Sequence, residues 1–170
     1  VSLQRQVGAR STIGALMVNK QSLNYDPTLV PENQTRYTEF NRNLGLEYNL
    51  ASANNLWTGK AMVLQSFGPE AVGRGIAHAA NLKYASGNLT WNWQHEYVSE
   101  NYTAEVGFVP RTAFYKISPS IGYRWFPKSA LILSHGPELN SIRYFSLKGV
   151  QTDNTTYATY SIKFRSQSSL

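Results

Sequence analysis

The sequence lacks several features that would assign it to a common class. It has no cysteine among 170 residues, which excludes a disulfide scaffold and a thiolate metal site. Charged residues make up 15% of the chain, against about 25% in typical soluble domains, so uncharged polar residues must fill its hydrated positions. No stretch approaches the ~18 consecutive apolar residues of a membrane-spanning helix, so helical membrane insertion is excluded.

Positive charge is in excess but is spread along the chain. Sixteen basic and ten acidic residues give a formal net charge of +6. The basic residues form no run and no patch, whereas a face that binds a phosphate backbone concentrates them. We therefore expect no nucleic-acid partner.

Few residues could support catalysis or metal binding. Only His78, His95 and His135 would titrate near neutral pH. His78 and His95 share one side of neighbouring predicted strands and could approach each other. Aspartate occurs only at Asp26 and Asp153, which offers no further ligands for a metal shell. We predict a non-catalytic protein with no cofactor and no bound metal.

What the sequence has instead is a repeated alternation of bulky and polar residues. In segment 88–97 the bulky residues are Leu89, Trp91, Trp93 and Tyr97, and the residues between them are polar, apart from His95 on the bulky side. The pattern recurs in segments 40–50, 113–125 and 155–165. Successive side chains of a strand point to opposite faces, so each segment predicts a strand with one apolar and one polar face. We predict an all-β fold with about eight strands, joined as antiparallel hairpins.

Strand length and loop length favour a membrane barrel. Several predicted strands run beyond nine residues, whereas soluble strands are usually ~5–6 residues long and tilted membrane strands ~9–11. Tight turns at Ser86-Gly87 and Phe126-Pro127-Lys128 contrast with long loops at 21–35 and 100–111. The polar side carries Asn, Thr, Ser and Gly more than Lys and Glu, as a crowded wet lumen does. We predict an antiparallel up-and-down transmembrane β-barrel over residues 1–170, as a single domain or a barrel fragment.

Two sets of residues follow from this interpretation. Charged residues expected in the lumen or at its constriction are Glu47, Lys83, Glu96, Glu105 and Arg111. They could select solutes, or they could form ion pairs that neutralise one another. Aromatic residues expected at the membrane interfaces are Trp57, Trp91, Trp93, Tyr97, Tyr123 and Trp125. Segment 101–111 could fold inward as a plug or cap a hairpin, and His95 is expected near the headgroups or against Tyr84.

Three segments together resemble a known family. They are "STIGALMVNKQS" (11–22), "FNRNLGLEYNL" (40–50) and "VSENYTAEVGFVPRTAFYKISPSIGY" (98–123), of which "EVGFVPR" (105–111) is the most specific. They resemble the C-terminal half of a Bacteroidota-type outer-membrane family of unknown function, in which a domain like family-nine carbohydrate-binding modules precedes a large antiparallel barrel. The resemblance implies an outer-membrane barrel and supplies no catalytic residue or substrate. The carbohydrate module has no counterpart here, and the family's barrel extends beyond both ends, so we expect part of a larger barrel.

The function expected from the sequence is that of a porin-like or transport-associated protein of a bacterial outer membrane. Its expected partners are membrane lipid, other outer-membrane subunits, and small solutes or oligosaccharides. One alternative is a soluble all-β carbohydrate-binding module, whose aromatic residues would be buried or would stack on sugars. Another is a structural barrel that serves as a subunit of an envelope complex.

Overall fold

The fold is all-β. A computed structural model of the protein describes residues 1–26, 28, 38–69, 75–107 and 109–169, and it contains no helix in these ranges that is long and apolar enough to cross a membrane. Ten strands, β1 to β10, run through the chain in order: Ser2–Val7, Ser11–Gln21, Phe40–Ala51, Trp57–Phe67, Gly75–Ala85, Leu89–Val98, Phe114–Ile117, Ser120–Tyr123, Ile132–Ser146 and Gln151–Phe164.

The strands form a single antiparallel up-and-down sheet, as the sequence predicts. Each strand pairs with the next along the chain, except that β7 and β8 both lie between β6 and β9. They are the two halves of one predicted strand, interrupted at Ser118-Pro119, because proline has no N–H to donate to a neighbouring strand. The predicted count of about eight therefore differs from ten through this interruption and through β1, whose short, mostly polar sequence gave no clear alternation.

Both edges of the sheet are open among the described residues. β1 pairs only with β2 and β10 only with β9. β1 has 6 residues and β10 has 14, so direct pairing of the two edges would leave more than half of β10 without a neighbour. The antiparallel meander predicted from the sequence is confirmed, whereas closure into a barrel stays a prediction.

The two ends of the sheet differ in their connections. At one end, here the turn end, the connecting segments are 8–10, 52–56, 86–88 and 124–131. At the other, here the loop end, they are 22–39, 68–74, 99–113 and 147–150. The predicted turn at Ser86-Gly87 is confirmed, since the Ser86 N–H donates to the Leu89 carbonyl at 2.8 Å. The tight turn predicted at 126–128 is wrong, because the connection spans 124–131 and includes a bridge between Trp125 and His135.

Strand register sorts the side chains into two continuous faces. The apolar face follows Leu46, Val63, Leu82, Trp93 and Ile121 across successive strands. The polar face follows the intervening residues, which include most of the predicted lumen charges. Among the described residues the buried hydrophobic side chains are only Ala77, Tyr102 and Phe114. The solvent-accessible surface is 11940 Å², whereas a compact monomer of this mass would expose about 8,400 Å².

Candidate functional site on the polar face

The polar face is partly covered by the chain itself. The segment that follows β6, residues 99–107, folds back over the loop end of this face and is called the docked loop here. It begins at Ser99, whose hydroxyl accepts a hydrogen bond from the Ile76 N–H at 2.8 Å. Its side chain Tyr102 is only 6% exposed, and this burial raises the pKa of the Tyr102 phenol.

Gly75 provides the space for this approach. A methyl group built on Gly75 would meet the carbonyl oxygen of Asn101 and would lie 2.9 Å from the Cα of Tyr102. Both are backbone atoms, which cannot move aside as the end of a flexible side chain can. A glycine at the start of β5 therefore lets the docked loop lie directly against the sheet.

Polar side chains of β3 and β4 hold the middle of the docked loop. The Thr103 N–H donates to the Ser66 hydroxyl at 3.2 Å, and the Asn41 amide donates to the Thr103 hydroxyl at 3.0 Å. Asn41 in turn accepts from the Glu105 N–H at 3.2 Å and from the Asn43 amide at 2.8 Å. Asn41 is 1% exposed, so these hydrogen bonds satisfy a side chain that would otherwise be buried at a cost.

Glu105 fixes the far end of the docked loop against β2. The Lys20 ammonium donates to one carboxylate oxygen at 2.6 Å, and the Thr38 hydroxyl donates to the other at 2.6 Å. Burial raises the pKa of Glu105, but the hydrogen bonds from Lys20 and Thr38 and the charge of Lys20 lower it more, so its pKa lies below the ordinary value. From Ser99 to Glu105 the docked loop crosses β5, β4, β3 and β2, which at ~4.8 Å per strand spacing is roughly 14 Å.

Arg111 secures the return of the chain to the opposite flank of the sheet. Its guanidinium contacts the Asp153 carboxylate at 3.1 Å and lies 5.2 Å from the Tyr144 ring centre and 5.7 Å from that of Phe114. Arg111 and Glu105, predicted as one constriction set, therefore do not contact each other. Glu105 contacts β2 on one flank of the sheet, and Arg111 contacts β10 on the other.

The other predicted lumen charges lie on the polar face. Glu96 pairs with Lys116 at 2.9 Å, and Glu47 pairs with Lys60 at 2.7 Å. Lys83 lies on the same face and makes no ion pair within the described part of the chain. Four of the five charges predicted for the lumen thus neutralise a partner, as the ion-pair alternative proposes, and Lys83 is exposed.

The predicted interfacial aromatics gather in two belts on the apolar face. The turn-end belt comprises Trp57, Tyr84, Trp91, Tyr123 and Trp125, with ring centres 4.9 Å apart for Trp57 and Tyr84 and 5.1 Å apart for Tyr123 and Trp125. The loop-end belt comprises His78, His95, Tyr97, Tyr115 and Phe145, linked by ring distances of 4.9 to 6.5 Å. Trp93 pairs with Leu82 midway along β6 and lies outside both belts.

The histidines are placed in two separate environments. His78 and His95 approach each other as expected, with ring centres 5.3 Å apart. The placement of His95 against Tyr84 is wrong, because register pairs His95 with Ala80 and pairs Tyr84 with Trp91. No group of three or more metal-binding side chains occurs among the described residues.

The site partners that sequence reasoning missed are Lys20, Thr38, Asn41 and Ser66. The only sequence feature that could have indicated these partners is the position of Asn41 and Asn43 on the polar side of a predicted strand.

The chain matches no family model, and no curated protein or solved structure matches it.

Proposed function

We propose that this chain forms part of the wall of a β-barrel in a Gram-negative outer membrane. Its polar face would line a solute passage that the docked loop narrows. The observation that carries the proposal is the contrast between the faces: large apolar side chains stay exposed on one, while the chain folds its own loop onto the other. Lipid would cover the exposed face and water would fill the polar side.

Exposed apolar residues occur on most strands of the sheet. They include Ile13, Met17, Leu46, Val63, Ile121 and Leu139, which lie on five different strands. Patches on soluble monomers are usually ~300–600 Å², and a face this continuous would drive aggregation in water. Burial in lipid removes that cost.

The dimensions of the apolar face suit a bilayer. Trp57 and Phe67 lie at the two ends of β4 on this face, and ten steps of ~3.3 Å separate them by roughly 33 Å along the strand. At a tilt near 40° this length spans roughly 25 Å, the height of the apolar band of outer-membrane barrels. The aromatic belts at the two ends fit the two membrane interfaces.

Closure would require a neighbour for each open edge. Between Asn154 and Ile162, β10 contains no charge and no proline, although soluble proteins protect exposed edges with such residues. An unprotected edge of this length supports pairing with further strands of the same barrel.

The first test is dependence on an amphiphile. The chain is refolded in buffer alone and in detergent micelles, and its gel mobility is compared before and after boiling. We expect a monomer only in micelles, with a mobility that changes on heating. A monomer in buffer without heat-modifiable mobility would support the soluble carbohydrate-binding alternative and would overturn the proposal.

The second test is passage of solutes. Liposomes loaded with the protein are diluted into isotonic sugars of increasing size, and the swelling rate is measured. We expect swelling with small sugars and faster swelling for Glu105→Gln, which removes the charge that binds Lys20; Glu100→Gln, on an exposed neighbour at the start of the loop, is the matched control. No swelling from protein that inserts would indicate a purely structural barrel and would contradict the passage.

A further inference from the structure

Charge is distributed unequally between the two ends of the sheet. The half nearer the turn end carries eight basic side chains, Arg5, Arg10, Lys60, Lys83, Arg124, Lys128, Lys163 and Arg165, and two acidic ones, Glu47 and Glu138. Among the described residues the half nearer the loop end carries six of each sign. The excess positive charge therefore lies toward the turn end.

The asymmetry is sharpest in the connections themselves. Segments 8–10, 52–56, 86–88, 124–131 and 165–169 contain Arg10, Arg124, Lys128 and Arg165 and no aspartate or glutamate. Three of these cations lie in or against segment 124–131. Arg124 and Lys128 are part of it, and Arg165 donates a hydrogen bond to its Ser129 carbonyl at 2.8 Å. All three are exposed.

An aromatic groove adjoins these cations. Its volume is ≈ 650 Å³, and it is lined by Asn88, Trp125, Phe126, Pro127, His135 and Tyr160. The His135 ring nitrogen and the Tyr160 hydroxyl are 2.6 Å apart, and this contact fixes the two side chains that form one wall of the groove. Trp125, His135 and Tyr160 belong to the apolar face. Arg124 and Lys128 directly flank the lining residues Trp125 to Pro127 along the chain, which places the cationic rim at the turn end beside the groove.

We infer that this groove and its rim bind an anionic phospholipid, with the phosphate at Arg124, Lys128 and Arg165 and the acyl chains against Trp125 and Tyr160. The inference rests on the proposed membrane function. A molecule that fits must be apolar on one side of the rim and anionic on the other, which describes a phospholipid better than a sugar or a free phosphate. Short turns of outer-membrane barrels lie on the periplasmic side, where the leaflet consists of phospholipid.

The test uses protein folded in micelles, to which phosphatidylglycerol or phosphatidylcholine with brominated acyl chains is added. Bromine quenches nearby tryptophan, so the part of the quenching that is lost when Trp125 is replaced by Phe measures binding beside Trp125. We expect phosphatidylglycerol to bind about tenfold or more tightly than phosphatidylcholine, since each basic residue near an anionic surface adds roughly a fivefold preference. Inorganic phosphate and maltoheptaose should not displace it.

Two variants make the test specific. Replacing Arg124, Lys128 and Arg165 together by Gln should reduce the preference to about twofold or less, whereas the matched loop-end replacement of Arg42, Arg143 and Lys148 should preserve it. Trp125→Phe should remove most of the difference in quenching between phosphatidylglycerol and phosphatidylcholine, because the remaining tryptophans lie outside the groove.

The possible failures are separable. A chain that never folds in micelles contradicts the proposed function itself. A folded chain that binds both lipids equally, loses its preference in the loop-end variant, or is displaced by phosphate or maltoheptaose overturns the phospholipid site alone.

Discussion

On the polar face of this sheet Ser66 is 5% exposed, whereas on the apolar face of the same strand Val63 is 45% exposed. The same contrast holds on β3, where Asn43 is buried and Leu46 is exposed. In a soluble protein the hydrophobic effect arranges the two classes the other way round. The polar side is buried because the docked loop forms hydrogen bonds with it, whereas large apolar side chains stay exposed on the other side within the described part of the chain.

The largest effect is expected from placing a charge near the middle of a strand on each face, which tests whether the two faces meet different surroundings. Leu46→Arg lies in the middle of the apolar face, and Gln94→Arg lies in the middle of the polar face. In lipid we expect Leu46→Arg to lower the free energy of unfolding by about 2–4 kcal/mol, because an arginine there must enter hydrocarbon. Gln94→Arg should change it by less than about 0.5 kcal/mol, as exposed substitutions do.

Urea unfolding in vesicles, followed by tryptophan fluorescence, measures both variants. Equal effects would mean that the two faces meet the same solvent, and the lipid assignment would then be lost. Both variants keep the strand register, so the comparison isolates the surroundings of the side chain.

A smaller effect is expected where the docked loop touches the sheet. Gly75→Ala would place a methyl group against the backbone of Asn101 and Tyr102, and forcing this overlap should cost about 1–3 kcal/mol. The methyl group would also meet the Ser66 hydroxyl, which accepts the hydrogen bond from the Thr103 N–H. Because both sets of atoms hold the docked loop, hydrogen exchange of segment 99–107 should accelerate while β5 stays protected. Gly122→Ala is the matched control, since its methyl group would meet the flexible Glu138 side chain at 3.3 Å. Unchanged exchange in Gly75→Ala would show that the loop does not depend on this contact.

The sequence predicts the sheet far better than the docked loop, and the reason is the range of the interactions. Alternation is local, so the strands containing Leu46 and Trp93 and the face that each residue occupies could be assigned from their neighbours alone. The loop is held by Ser66 and Lys20, which are separated from Thr103 and Glu105 by 37 and 85 residues. A single polar residue at such a distance leaves no pattern in the sequence. Pro119 is intermediate, because a proline within an alternating segment indicates a local irregularity but does not show that the strand is interrupted there.

Acid should release the docked loop before it affects the apolar face. Glu105 has a pKa below its ordinary value of 4.5 in the folded protein, so its contribution is complete above about pH 4.5 and is lost as the pH falls through the lowered pKa. We expect protease cleavage within 99–107 to increase over that acidic window at constant strand content. Glu105→Gln, which cannot titrate, should be cleaved at an equal rate across it. A wild-type rate that is also independent of pH would contradict a role for the ionised carboxylate.

The smallest stability change is expected for the exposed ion pair on the polar face. The Glu47 and Lys60 side chains are 32% and 50% exposed. Exposed ion pairs contribute little to stability because water and salt screen them, so Glu47→Gln should leave the free energy of unfolding nearly unchanged. If the polar face lines a passage, losing a negative charge beside Lys60 should still shift the reversal potential in a salt gradient toward anion preference. Glu100→Gln makes the same charge change outside the strands and should shift it less. A large loss of stability with no shift in selectivity would mean that Glu47 is packed within a dry interior, and the two faces would then differ in composition but not in hydration.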